Sequence, residues 1–148
     1  LADQRPAPGE WTAREVLEHV HLADHHLLLL AEKAAVKSAR RVARGEPWPR
    51  GLPGPDHVRR LGERSQAWPH PQHMTPSGTR ALSQTAMDLE RDRGRCLALL
   101  EAMPEGQGSL HQIRMSVIEA RLDLYGWLGL IAVHGERHLR QLERVAGG

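Results

Sequence analysis

Apolar residues recur at helical spacing in three stretches of the chain, and clusters of Pro and Gly separate them. Thr12 to about Arg44 contains no Pro or Gly, and Val16, His19, Val20, Ala23, Leu27 and Leu30 fall on one stripe of a helix there. Thr12 with Glu15 three residues on reads as a capping box, Trp11 is placed to staple the start, and Gly45 and Pro47 end the helix. A second long helix is expected from Thr75, as N-cap with Pro76 at the first helical position, to about Met103. Its inward stripe would be Leu82, Ala86, Leu89, Cys96, Leu100 and Met103. A third starts after Asp123 as N-cap and runs to about Val145. A shorter helix is expected from Asp56 to about Gln66.

Between these segments, residues 1–10 read as an N-terminal arm and residues 45–76 as a crossover region broken by Pro47, Pro49, Pro53, Pro55, Pro69, Pro71 and Pro76. His111 to Ile118 alternates only weakly and reads as irregular or briefly extended. Three long helices, a shorter one and long crossovers imply an all-α bundle. At 148 residues the whole chain is the size of one domain.

Composition narrows the function. The longest apolar stretch, Leu124 to Val133, is far short of the roughly 20 residues that span a bilayer. A single cysteine, Cys96, excludes an internal disulfide framework and any multi-cysteine zinc site; with no secretory signal visible, a cytoplasmic protein is expected. Of the 20 basic residues 18 are Arg, but they are spread along the chain and the net charge is only +2, so a nucleic-acid partner is not favoured. Leu22, Leu28 and Leu29 lie off the core stripe of the first helix, and an apolar circumference of that kind suggests a homodimer.

Ten histidines are the unusual count, and periodicity sorts them. In the last helix Leu124, Trp127, Ile131, His134, His138, Leu142 and Val145 share one stripe, so two histidines one turn apart face inward, with Arg137 on the far side. In the first helix His19 lies on the apolar stripe, whereas His21 and His25 point toward water beside Glu18 and Glu32. Ten histidines give a chance i, i+4 pair about 0.7 times, so location on an apolar stripe, not spacing, separates the pairs. One divalent ion would satisfy three inward imidazoles that otherwise each need a buried partner. His134-Gly135-Glu136-Arg137-His138 is not a zincin motif, because the glutamate does not directly follow the first histidine. Arg93 falls within the expected stripe of the second helix and reads either as a snorkelling, ion-paired arginine or as an anion contact for a substrate. No side chain stands out as a general base, and the catalytic residues are not identified.

Two segments carry a family resemblance. Trp11-Thr12-Ala13-Arg14-Glu15-Val16-Leu17-Glu18-His19 resembles the opening of DinB-like (YfiT-like) proteins, and Gly129 to Leu142, containing His134 and His138, resembles their C-terminal signature. The resemblance implies an antiparallel four-helix bundle whose metal ligands are His19, His134 and His138, holding zinc, nickel or another divalent ion. The family's usual His-Leu-Ala-Asp run stands two residues late here, at His21 to Asp24, which would make His21 the ligand; its outward direction on the wheel argues against it. The resemblance further implies a metal-dependent enzyme acting on a small-molecule substrate, transferring or activating a low-molecular-weight thiol as cosubstrate. The alternatives are a metal-dependent hydrolase or a non-catalytic, metal- or small-molecule-binding stress protein.

Overall fold

The computed structural model describes residues 2–54, 56, 59–60, 69–115 and 120–147. It is mostly helical, with α1 (Ala13–Ala43), α2 (Leu82–Ala102) and α3 (Leu124–Gly147) and an antiparallel hairpin of β1 (Ile113–Met115) and β2 (Ala120–Leu122). The short helix expected over 56–66 lies largely outside the described residues, although Asp56, Arg59 and Arg60 are helical.

The capping box holds as read: Glu15 N–H donates to Thr12 Oγ1 (3.2 Å) and Thr12 N–H to Glu15 Oε2 (2.7 Å), a cap of about 1 kcal/mol. Asp123 caps α3, its Oδ1 accepting from Gly126 N–H (2.8 Å). The start of α2 differs from expectation. Thr75 follows a 3-10 turn (Gln72–Met74), and the helix begins only at Leu82. The intervening residues are drawn instead onto the buried carboxylate of Glu18, which accepts from Ser77 Oγ and Gly78 N–H, both at 2.8 Å. Gly78 has φ +73°, incompatible with a helix. Burial alone would raise the Glu18 pKa, but these hydrogen bonds and the charge of Arg80 outweigh it and hold the group below the usual carboxylate range.

α1 is the central element, packed on one side against α3 and on another against α2. The α3 side is apolar: Leu27, Leu28, Ala31, Ala34 and Ala35 meet Leu124, Trp127, Leu128, Leu130 and Ile131. Tyr125 in the same core spends its hydroxyl on the backbone, donating to Met103 O (2.6 Å) and accepting from Gly108 N–H (3.1 Å). The α2 side is polar. The fully buried residues of α2 are Thr85, Asp88 and Asp92, a face rotated by roughly 80° from the expected apolar stripe at 100° per residue. His21 is 6% exposed and its Nδ1–H donates to Asp92 Oδ2 (2.9 Å). Arg95 binds Asp92 Oδ1 (2.8 Å) and Glu32 (2.9 Å), while Arg80, Gln84 and Arg91 bind Asp88.

Two expectations are corrected by this two-sided packing. His21 does not face water, because α2 covers the side of α1 that an apolar wheel leaves to solvent. Leu28 is not off the core but fully buried within it; of the three leucines suggested for a dimer contact, only Leu29 is exposed. Of the two readings of Arg93 the ion-paired one holds: it is exposed and paired with Glu90 (3.0 Å).

Candidate metal centre

His19 from α1 and His134 and His138 from α3 converge, so that one ligand atom from each lies within 4.8 Å of the others. Ring centroids are 4.9 Å apart for His19–His138, 5.4 Å for His19–His134 and 4.5 Å for His134–His138. Among the described residues this is the one such grouping of three potential ligands. The geometry follows from helix periodicity: His134 and His138 stack one turn apart, and α1 lies against α3 along most of the core.

Two of the three outer nitrogens are tethered. His19 Nδ1–H donates to the carbonyl of Met74 (2.7 Å) and His138 Nδ1–H to Gln141 Oε1 (2.8 Å). Each bond fixes the tautomer that leaves Nε2 with its lone pair free for the cluster. His134 Nδ1 lies 3.4 Å from Asp24 Oδ1, outside hydrogen-bond geometry, and both atoms are buried without another hydrogen-bond partner. A cation on the far nitrogen of His134 would make its Nδ1 proton a stronger donor toward this carboxylate. These donors fit a divalent ion.

Electrostatics agree with that fit. Burial pushes the pKa of His19, His134 and His138 down to about 4, helped for His134 by the charge of Arg137 and for the other two by neighbouring histidines and Arg137. The three rings are therefore neutral at pH 7, the form that ligates metals. Burial, with the nearby charge of Asp92, pushes Asp24 up to about 7, and His21 partly opposes this.

The cluster opens onto a cavity of about 350 Å³ whose walls include Trp11, Met74, Trp127, Leu130, Arg137 and Gln141. Trp11 packs against His19 (centroids 4.8 Å), and His70, between Pro69 and Pro71, packs against both (5.1 and 5.4 Å). The three histidines brought together are the three selected on the sequence. Asp24, Gln141 and His70 were not singled out there. Gln141 had a signal, lying three residues beyond His138 on the same helix face, and Asp24 closes the His-Leu-Ala-Asp run; His70 had none. Arg137, assigned to the far side of α3, instead lines the cavity, because the opening lies at the edge of the apolar stripe and not over its centre.

A family model of the DinB superfamily matches residues 1–142. The chain belongs to the DinB superfamily. No curated protein and no solved structure matches it. The DinB superfamily match takes in both the Trp11–His19 opening and the α3 segment carrying His134 and His138, so it spans both halves of the cluster. No described helix is long and apolar enough to cross a membrane.

Proposed function

We propose that the protein is a metal-dependent enzyme in which His19, His134 and His138 hold a divalent ion, zinc or nickel, and a low-molecular-weight thiol is activated for transfer to an electrophile. The observation that carries this reading is the convergence of three neutral imidazoles, each with its outer nitrogen directed at a carbonyl or carboxylate oxygen, at the wall of a cavity. Three protein ligands leave a position for an exchangeable partner, as catalytic sites do and closed structural sites do not. A divalent ion bound there would supply Lewis acidity, lowering the pKa of a water or thiol toward neutrality.

The chain's own groups supply the rest. Met74 O and Gln141 orient the rings of His19 and His138, Asp24 stands 3.4 Å behind His134 Nδ1, and Trp11 covers the outer face of His19. Cys96 is not the reacting thiol: burial, with the charges of Asp24 and Asp92, pushes its pKa up to about 11, and it does not line the cavity. The thiol is therefore a cosubstrate. Residues 1–148 form one domain in this reading, an antiparallel four-helix bundle, with the cytoplasm as its reducing compartment.

Metal analysis of the untagged, purified protein is the first test, followed by incubation with glutathione, bacillithiol or mycothiol and bromobimane as electrophile. Conjugation that is lost on chelation and restored by zinc or nickel supports the reading. Ester or amide cleavage with no acceleration by any thiol would replace it with a hydrolase, and absence of tightly held metal would remove it.

A further inference from the structure

The segment leading into α2 lies along the first turns of α1 in antiparallel order. Arg14 donates to Arg80 O (3.0 Å), Glu18 accepts from Ser77 Oγ and Gly78 N–H (both 2.8 Å), and His19 Nδ1–H donates to Met74 O (2.7 Å). Partner numbers fall from 80 to 74 as α1 advances from 14 to 19, so residues 74–80 form a strap stitched to α1 beside the metal centre. The stitches are unequal. Arg14 is half-buried, whereas Glu18 is 5% exposed and takes one bond on each carboxylate oxygen. Ser77 Oγ is itself oriented by Thr79 N–H (3.2 Å). Gly78, at φ +73°, packs on Glu15, whose Cγ and Oε1 lie 3.4 Å from where a Cβ would stand. Ser77 stands three residues after Met74, a span of at most about 11 Å, so fixing Ser77 confines the Met74 carbonyl. That carbonyl is the acceptor for the His19 Nδ1 proton, and the ring is buried, so bulk water does not readily replace it.

We infer that Glu18 is a positioning residue of the metal centre: by stapling the strap at Ser77 and Gly78 it holds the Met74 carbonyl on His19, and so keeps the Nε2 lone pair of His19 available to the cluster. This deepens the proposed function and rests on it only for the ion, since the orientation of the ring belongs to the metal-free fold. Glu18 does not line the cavity and acts only through the strap, which also contributes Met74 to the cavity wall. His21, two residues further along α1, offers a contrast of similar burial. Its anchor is Asp92 of α2 and not the strap, so its loss weakens the fold without touching the Met74 carbonyl.

NMR of the histidine ring nitrogens at neutral pH reads the tautomer of His19 in metal-free protein, and competition with a chelator reads the affinity for zinc. In the parent, His19 should show a single tautomer protonated on Nδ1. Glu18→Met, similar in volume but unable to accept, should give a mixture of both tautomers. It should also weaken zinc binding about tenfold, the lower end of the usual effect of disturbing a partner behind a ligating histidine. Glu18→Gln should restore the single tautomer and most of the affinity, because its amide oxygen still accepts from Gly78 N–H and its NH2 can donate to Ser77 Oγ. Ser77→Ala removes one of the two bonds and should fall between. His21→Ala, a loss of stability alone, should change neither reading. Where the parent binds zinc, either reading left unchanged by Glu18→Met overturns the inference, and so does an equal disturbance of His19 by His21→Ala. Should Glu18→Met fail to fold, Ser77→Ala decides, and parent-like readings in that variant overturn the inference. A parent that takes up no zinc, yet whose His19 tautomer depends on Glu18, counts against the proposed function and supports the positioning role.

Discussion

The outer nitrogens of His19, His134 and His138 face three different groups, a carbonyl, a carboxylate and a side-chain amide. Substitution of any one ring by Ala should reduce bound metal to near background, because two imidazoles rarely hold a divalent ion against buffer; metal content by elemental analysis reads this directly. Asp24→Asn should leave the three ligands in place yet weaken affinity by about 10–100-fold, the usual effect of removing a partner behind a ligating histidine. His25→Ala should change neither metal content nor stability, since His25 is half-exposed at the edge of the α1–α2 contact. His21→Ala should leave the metal and lower stability by about 1–3 kcal/mol in urea unfolding, because it strips a buried partner from Asp92. The triad was legible on the sequence because α1 and α3 meet through apolar stripes that a helical wheel detects. His21 was misdirected because its neighbours Asp88 and Asp92 are inward carboxylates, and hydrophobic periodicity carries no signal for a buried face made of ions.

The same distinction holds for whole elements. α1 and α3 begin where Thr12 and Asp123 cap them, local chemistry that is complete within four residues of sequence. The start of α2 is set by a contact 59 residues away, between Ser77 and the buried Glu18, and no local rule reports that. Gly106 shows the cost of such long-range packing. Its φ is +95°, and an added Cβ would meet Gly51 O at 2.6 Å and Pro49 O at 2.7 Å. Gly106→Ala should therefore destabilise by at least about 2 kcal/mol, from left-handed strain plus displacement of the crossover; a urea midpoint measures it. In α2, the bond from Arg80, against an opposing effect of burial, holds Asp88 down to about 2, with help from Gln84 and Arg91. Its folded pKa lies below the ordinary 3.8, so its stabilisation is present above about pH 4 and disappears as pH falls through 2. Asp88→Asn should lower stability at pH 7, and the gap between variant and parent should narrow steadily below pH 4.

For the molecule as a whole, the neutral histidine cluster imposes a pH dependence on the metal-free fold. An unfolded histidine takes up a proton near pH 6.5, whereas His19, His134 and His138 resist until about 4. Between those values the unfolded chain binds more protons than the folded one, so the stability these groups contribute is complete above 6.5 and lost as pH falls through 4. Asp24 works in the other direction. Its folded pKa of about 7 exceeds the ordinary 3.8, so the folded protein keeps a proton that the unfolded chain releases, and this contribution is lost as pH rises through 7. Three groups oppose one across most of the window, and net stability should rise from pH 4 to pH 6.5. Urea midpoints of metal-free protein at half-unit pH intervals would record that rise. His134→Ala should flatten it, and Asp24→Asn should steepen it, because the opposing group is gone. Metal should shift every midpoint upward by mass action, and the shift should shrink toward pH 4, where protons occupy the nitrogens the ion needs. A midpoint that stays level from pH 4 to pH 6.5 would mean that the three rings are protonated in the fold as readily as in water, and the cluster would then lack the buried, neutral character on which metal binding depends.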